Sequence, residues 1–462
     1  MIPWVVRHIT FPFHQWKTGR QTLHWYHLLR QSQRWESEQL LNWQSEKLKD
    51  LLIHAAKNVP YYSDRFRAHP IDVYGGDIKT QWAAVPLLSK EIAREELDRL
   101  QARDRTRSYV KVETSGSTGL PISWHIDVRA QDVHNGVKLR HRDWWKLRLG
   151  DRQVWLWGDD ELKGKGKTLR DLLVYNKKVL RLLDLSEETV SKYYANLARW
   201  KPAYLYGYPS GYMQLADLCR LKNLFLGSLG IKAVISTAEI LTPSQQGHLE
   251  KTFGCPVVNE YGCAELQVIA FECPQGGMHI NADTLLVEIL DDRGKPIEPG
   301  QPGEIVVTDL FNSAMPLIRY RTGDVGTFKK GTCVCGRSLP LMELSIGRQV
   351  DMIRLPGGRL VHPEVFTPPH NNPFFKPLSE HVKSFQVIQE TPISFRIQVV
   401  AEDQHLEMIR DRFIELVEFY LGKGFRIRVE RVSEILREPS GKLRYFISNV
   451  GANGGEEAGE KP

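Results

Sequence analysis

The stretch VETSGSTGLP, residues 112–121, puts two glycines and three hydroxyl side chains into a few positions after Thr114. Gly116 and Gly119 let backbone N–H groups approach an anion closely, and Ser115, Ser117 and Thr118 add hydroxyl donors. Such a loop suits a triphosphate. It is not the P-loop, whose Gly-Lys-Ser/Thr ending is missing here, so cationic help for the phosphates must come from another part of the chain. A second constellation is Cys273 and His279 in ECPQGGMHI with Cys333 and Cys335 in GTCVCGR. Three thiolates and one imidazole make a complete tetrahedral zinc set with no open position for water, so the role it predicts is structural. Against it, C-x-C is tighter than usual zinc spacing and 53 residues separate the pairs, which leaves four unrelated loop residues as the other reading. Asp324, in the glycine-flanked RYRTGDVG, reads as a turn carboxylate able to accept two vicinal hydroxyls. Lys442, in PSGKLR, offers a mobile ammonium beside a glycine.

The elements that must carry these groups follow from apolar periodicity. Past Lys111 the runs QVWLWG, AYLYGY, IKAVIST and PVVNEYG read as buried strands alternating with helical sequence. That predicts an α/β domain whose chemistry lies on loops at strand ends. LLVEIL, a DDRGKPIEPGQPG turn and EIVVT read as an antiparallel hairpin within 284–307. After residue 347, VKSFQVIQ and SFRIQVVA precede a helix with Leu406, Ile409, Phe413, Leu416 and Tyr420 on one face, and FRIRVERV follows as another strand. The expected organisation is a mixed α/β and α+β chain. Residues 1–347 form a large domain with a helical arm over 1–70, 348–450 a small mobile domain, and 451–462 a tail with nothing to bury. Helical spacing from Glu36 to Arg65 is expected to end in a proline turn at NVPYYSDRF. Aromatics in QVWLWGDD and AYLYGYPSGY read mostly as core, with Tyr206 and Tyr208 as candidates to line an acyl pocket; Cys219, Cys255 and Cys263 read as buried small residues.

Bulk properties exclude several classes. With 62 basic against 55 acidic residues the net charge is +7, which suits anionic small substrates and is too dilute for nucleic acid. Six cysteines are too few for a disulfide scaffold. No apolar run approaches the roughly 20 residues needed to span a bilayer, and Arg7 and His8 interrupt the opening apolar stretch, so the cytoplasm is the expected location. The first 35 residues hold no Asp or Glu but five Lys or Arg and four Trp. The plainer reading is an amphipathic arm packed on the main domain, and the other is peripheral contact with a membrane interface.

Six segments, ETSGSTGLP, STAEI, NEYGCAE, PLIRYRTGDVG, IGRQVDMI and PSGKLR, occur between residues 113 and 444 in an order that resembles the adenylate-forming superfamily. The resemblance is strongest to phenylacetate–CoA ligases and their capsule-biosynthesis relatives. It implies a two-step ligase using ATP, Mg²⁺ and coenzyme A, with a carrier-protein thiol or an amine as other acceptors for the acyl group. A non-catalytic or amide-forming relative in capsule biosynthesis is the alternative. By this resemblance the loop from Thr114 to Gly119 holds the triphosphate, and Ala238 and Glu239 line the adenine pocket. Asn259 reads the adenine amino group, Tyr261 covers the ring beside Gly262, and Glu265 ligates Mg²⁺. Asp324 takes the ribose hydroxyls, Arg348 contacts ribose or phosphate, and Lys442 is the catalytic cation. Relatives in the capsule branch share the Cys/His pattern. Two departures stand out: Ile122 follows Pro121 where many members carry a lysine, and Val350 and Asp351 blur the hinge position. The loop RLPGGRL, with Gly357 and Gly358, is implied to admit a pantetheine arm once the small domain has rotated.

Overall fold

A computed structural model describes residues 2–69, 71–76, 78–104, 108–113, 123–157, 165–239, 241–291, 293–346, 353–356, 360–361, 363–366, 381–435 and 446–450. The loop from Thr114 to Gly119, Arg348, the hinge positions Val350 and Asp351, Gly357, Gly358, Lys442 and the tail 451–462 lie outside these residues.

Nineteen strands are described. β1 (Tyr109–Glu113) and β2 (Ser123–Asp127) pair antiparallel, with Glu113 opposite Ser123, so the segment 114–122 joins the two strands of one hairpin. The expected alternation then runs through β3 (Gln153–Trp157), β4 (Lys177–Arg181), β5 (Tyr204–Gly207), β6 (Ala233–Ser236), β7 (Val257–Cys263), β8 (Gln267–Glu272) and β9 (Met278–Ile280). These form one sheet in the order β4-β3-β5-β6-β7-β8-β9, parallel as far as β7 and antiparallel beyond it. β5 and β6 are buried at every position, as strands covered by helices on both faces must be. The intervening helices start where local chemistry allows. Pro209 opens the helix Pro209–Leu221, and Thr242 and Gln245 close a reciprocal cap on Pro243–Phe253.

A second sheet is antiparallel, in the order β10 (Leu285–Leu290), β11 (Gly303–Asp309), β12 (Tyr320–Phe328) and β13 (Met342–Ile346). The N-terminal helices are part of its core. Tyr62 donates to the Pro316 carbonyl at 3.0 Å, and Leu88 exchanges backbone bonds with Arg319 and Arg321 on the flank of β12. Pro60 does not end the helical run as the sequence predicts. Val59 is extended (φ −112°, ψ 109°), and Pro60 is the first residue of a new helix, Pro60–Ala68. Proline disfavours helix in the residue before it yet is well suited to the first helical position, where its missing N–H costs nothing.

The C-terminal part holds the pair β14 (Ile353–Arg354) and β15 (Leu360–Val361) and a four-stranded sheet, β18 (Arg426–Arg431), β17 (Ser394–Ala401), β16 (Val382–Thr391) and β19 (Phe446–Ser448), in that order. The helix Leu406–Leu421 buries Ile409, Phe413, Leu416, Val417 and Leu421, so its buried face is rotated slightly from the expected one; Leu406 and Tyr420 sit at its margins. Its core cluster draws only on residues between Ile353 and Phe446.

Candidate functional site

In a parallel sheet every strand ends at the same edge, and the loops there form the usual ligand crevice. The carboxyl edge of β3, β5, β6 and β7 carries Trp157, Tyr208, then Ala238 and Glu239, then the end of β7 with Asn259, Tyr261, Gly262 and Glu265. Register places Ser236 beside Asn259, so the segment with Ala238 and Glu239 leaves the sheet next to Asn259. Ala238 holds a left-handed φ of 67°, rare for a residue with a side chain and enriched at ligand sites. Glu239 is anchored by Ser210, whose backbone N–H and hydroxyl donate to it at 3.1 and 2.8 Å. The Asn259 backbone N–H donates to Glu272 at 2.8 Å, which fixes the strand behind it.

At the end of β7 the ladder to β8 slips by one residue between Tyr261 and Gly262. A Cβ on Gly262 would stand 2.0 Å from the Gln267 carbonyl oxygen, so the bulge requires glycine. The bulge leads into a tight turn that carries Glu265 and returns through Gln267 at φ 58°.

Two hydrogen bonds then join β7 and its turn to β12 of the other sheet. The Tyr261 hydroxyl donates to Asp324 at 3.0 Å, and the Tyr320 hydroxyl donates to Glu265 at 2.7 Å. Residues about sixty positions apart in sequence become neighbours. Burial first, and the Asp324 carboxylate second, hold the Tyr261 phenol well above its ordinary range, so it stays a proton donor at neutral pH. Asp324 is not in a simple turn. Glu304 pairs with Val325 and Val306 with Arg321, so Thr322, Gly323 and Asp324 oppose the single residue Ile305 in a strand bulge, with Gly323 left-handed at φ 71°. The bulge aims Asp324 at Tyr261. Tyr320 was not singled out from the sequence. Its place inside the RYRTGDVG motif was the available signal, since β-strand alternation and a neighbouring motif aspartate put it near the site.

The aromatic readings divide. Tyr206 is buried and donates to Glu260 at 2.6 Å, with the Arg142 guanidinium 5.9 Å from its ring. Trp157 stacks on Tyr206 and on Tyr208, at 5.6 and 4.5 Å between centroids. Tyr206 is thus a member of a buried polar network, whereas Tyr208 is half-buried at the strand edge. Cys219 is buried as expected, but Cys255 and Cys263 are only partly so.

The Cys/His set converges. Cys273 follows β8, His279 lies on β9, and Cys333 and Cys335 lie between β12 and β13; their ligand atoms all fall within 4.8 Å of one another. Cys273 and Cys333 sulfurs are 3.7 Å apart, and Cys335 Sγ is 3.2 Å from His279 Nε2. A regular tetrahedron with metal–sulfur bonds of about 2.3 Å has an S···S edge of about 3.8 Å, far longer than a disulfide. His279 Nδ1 is 2.9 Å from the Leu339 carbonyl, which assigns the proton there and turns Nε2 to the thiols. A Cβ on Gly277 would stand 3.0 Å from Cys333 Sγ and would crowd the cluster. The residues fit a closed tetrahedral ion.

Two family models match: one described as an AMP-binding enzyme over residues 182–312, the other as the CapK C-terminal domain over 365–449. These matches support the adenylate-forming superfamily. The chain is similar along nearly its whole length to two kinds of curated relative. A phenylacetate-coenzyme A ligase of Thermus thermophilus is 24% identical over 89% of this chain and 96% of that protein. Protein CapK of Staphylococcus aureus is 23% identical over 93% of this chain and 94% of that one. The fold matches a solved 2-hydroxyisobutyryl-CoA ligase in the thioesterification state, with a TM-score of 0.63 at 19% identity, covering 90% of this chain and 91% of the other.

Proposed function

We propose that this protein activates a carboxylic acid with ATP as its acyl-adenylate and transfers the acyl group to the thiol of coenzyme A. A carboxylate oxygen attacks the α-phosphorus and the bond to pyrophosphate breaks; the thiolate then attacks the acyl carbon and AMP leaves. The observation that carries this reading is the pair of phenol–carboxylate bonds, which gather Tyr261, Glu265 and Asp324 at the carboxyl edge of the parallel sheet.

In this reading Tyr261 lies against adenine with its ring angle set by the bond to Asp324. Asn259 faces the adenine amino group, Ala238 and Glu239 line the pocket beside Gly262, and Asp324 receives the ribose hydroxyls. The loop from Thr114 through Ser115, Gly116, Ser117 and Thr118 to Gly119 offers backbone and hydroxyl donors to the triphosphate, and Arg348 serves ribose or phosphate. Glu265 would hold Mg²⁺, which supplies charge neutralisation between phosphates when bound. Tyr320 occupies one carboxylate oxygen, and among the described residues the other has no partner. The segment 348–450 acts as a small domain that presents Lys442 in the first step and the Gly357–Gly358 segment in the second. Its self-contained core supports its movement as a unit.

ATP–pyrophosphate exchange across a panel of aryl and aliphatic acids tests the proposal. Acid-dependent exchange is expected with at least one class, and silence across the panel would sink the reading in favour of a non-catalytic relative. Likeness to CapK in the C-terminal part fits in part a second reading, a non-catalytic or amide-forming relative. AMP release that depends on an amine and ignores coenzyme A would favour its amide-forming form. Tyr261→Phe keeps the ring and deletes one hydrogen bond worth about 1 kcal/mol, so the KM for ATP should rise about fivefold with kcat little changed.

Cys273, His279, Cys333 and Cys335 would hold a structural Zn²⁺ tying the β9 edge to the segment before β13. Cys335→Ser should lower zinc from about one per chain to near zero by metal analysis, with a fall in Tm. Native protein without stoichiometric zinc would refute the assignment.

A further inference from the structure

Residues 3–18 form one continuous helix with a π turn, Val6–Thr10, between α-helical ends. A π turn holds about one residue more than an α turn. Trp4 and Ile9, five apart across it, therefore fall in line, and Phe13 and Trp16 continue the line at spacings of four and three. Trp4, Ile9, Phe13 and Trp16 are 58%, 51%, 57% and 78% exposed. The opposite line, Val6, Phe11 and Gln15, is buried against the body of the protein. Arg7 ties that side to Asp151 and the Leu149 carbonyl, and the Thr10 hydroxyl donates to the Leu173 carbonyl. The helix is thus an arm packed by one face, with its other face a stripe of large apolar side chains in solvent. Leu169 and Leu173 on the adjoining helix Lys165–Val174 extend the exposed apolar surface.

Charge selects what can cover it. There is no acidic residue before Glu36. Of the carboxylates near the arm among the described residues, Asp132 and Asp171 are buried and Asp151 and Asp143 partly so, and each is paired with a cation: Asp132 with Arg20, Asp171 with Lys177, Asp151 with Arg7 and Asp143 with Arg30. Lys17 and Arg170 are exposed beside the stripe. Aromatic side chains with a basic surround on one helix face are what an anionic bilayer interface binds, and among the described residues no helix is long and apolar enough to cross one.

We propose that residues 3–18 seat this protein on the surface of a bilayer containing anionic lipids, with Trp4, Ile9, Phe13 and Trp16 in the headgroup region. This places the enzyme's acid or acyl product beside the membrane, and it does not depend on which acid is used. The test is co-sedimentation of the full chain with phosphatidylcholine vesicles, with and without phosphatidylglycerol. Binding is expected only with the anionic lipid. It should fall on the order of 100-fold in the triple variant Trp4→Ser, Phe13→Ser, Trp16→Ser, and about fivefold in Lys17→Gln. These side chains are exposed, so Tm should not change. Wild-type protein left in the supernatant with mixed vesicles overturns the proposal, as does a triple variant that still binds. A concentration-dependent dimer that the triple substitution dissolves would assign the stripe to a second copy of the chain instead, and would also overturn it.

Discussion

Lys442→Ala is expected to lower acid-dependent ATP–pyrophosphate exchange by about 10²–10³-fold, while coenzyme A still consumes a synthetic acyl-adenylate at a rate within a few-fold of wild type. In the first step a carboxylate anion must approach the α-phosphate of a polyanion, and charge builds on the oxygens as the bond to pyrophosphate stretches. A positioned ammonium stabilises that charge more than the ground state, which is why the loss falls on kcat. The glycine-rich loop carries no lysine of its own, and Ile122 follows Pro121 at its end. In the proposed second step no carboxylate has to approach a polyanion, and the small domain presents the Gly357–Gly358 segment in place of Lys442, so the two half-reactions should separate. Equal loss of both would show that Lys442 acts on folding or on domain placement and would refute the catalytic role. Exchange that survives in the variant would refute it as well.

Arg140→Met is expected to destabilise the protein by about 3–5 kcal/mol, read as a lower denaturation midpoint. Arg140 lies on the helix Val128–Trp144 with its side chain fully buried. Its guanidinium forks onto Asp283, and also donates to Asn281 at 2.7 Å and to the Leu29 carbonyl at 3.1 Å. The Ser32 hydroxyl donates to the same aspartate. Methionine matches the stem in volume but leaves Asp283 as a buried anion with one hydroxyl donor. Adding Asp283→Leu removes that anion and should recover part of the loss, because well-packed apolar pairs replace buried ion pairs at little cost. A single variant as stable as wild type would show that water reaches the site. This cluster ties the N-terminal helix Thr22–Ser32 to the segment between β9 and β10, so the arm is fastened close to the strands that carry the candidate site.

The sequence by itself determined the strand–helix alternation, the hairpin within 284–307 and the ββαβ order of the C-terminal part. Each rests on a periodicity of two or 3.6 residues that the chain shows locally. It also supplied Tyr261, Glu265 and Asp324 as candidates through motif order, and the four converging Cys and His residues through residue type.

Tertiary structure alone decided how these meet. Tyr261 reaches Asp324 and Tyr320 reaches Glu265 only because β7 of one sheet and β12 of the other come together, with bulges at Gly262 and at residues 322–324. A bulge puts one or two extra residues into a register, and register depends on the partner strand, not on the strand's own pattern. The same holds for the arm. Its composition suggested either a packed helix or a membrane contact. The π turn lines up one face for the body and leaves the other to solvent, a division that an ideal 3.6-residue period blurs. Where a property depends on neighbours within one or two turns, the chain displayed it; where it depends on how two surfaces register, only the folded molecule could.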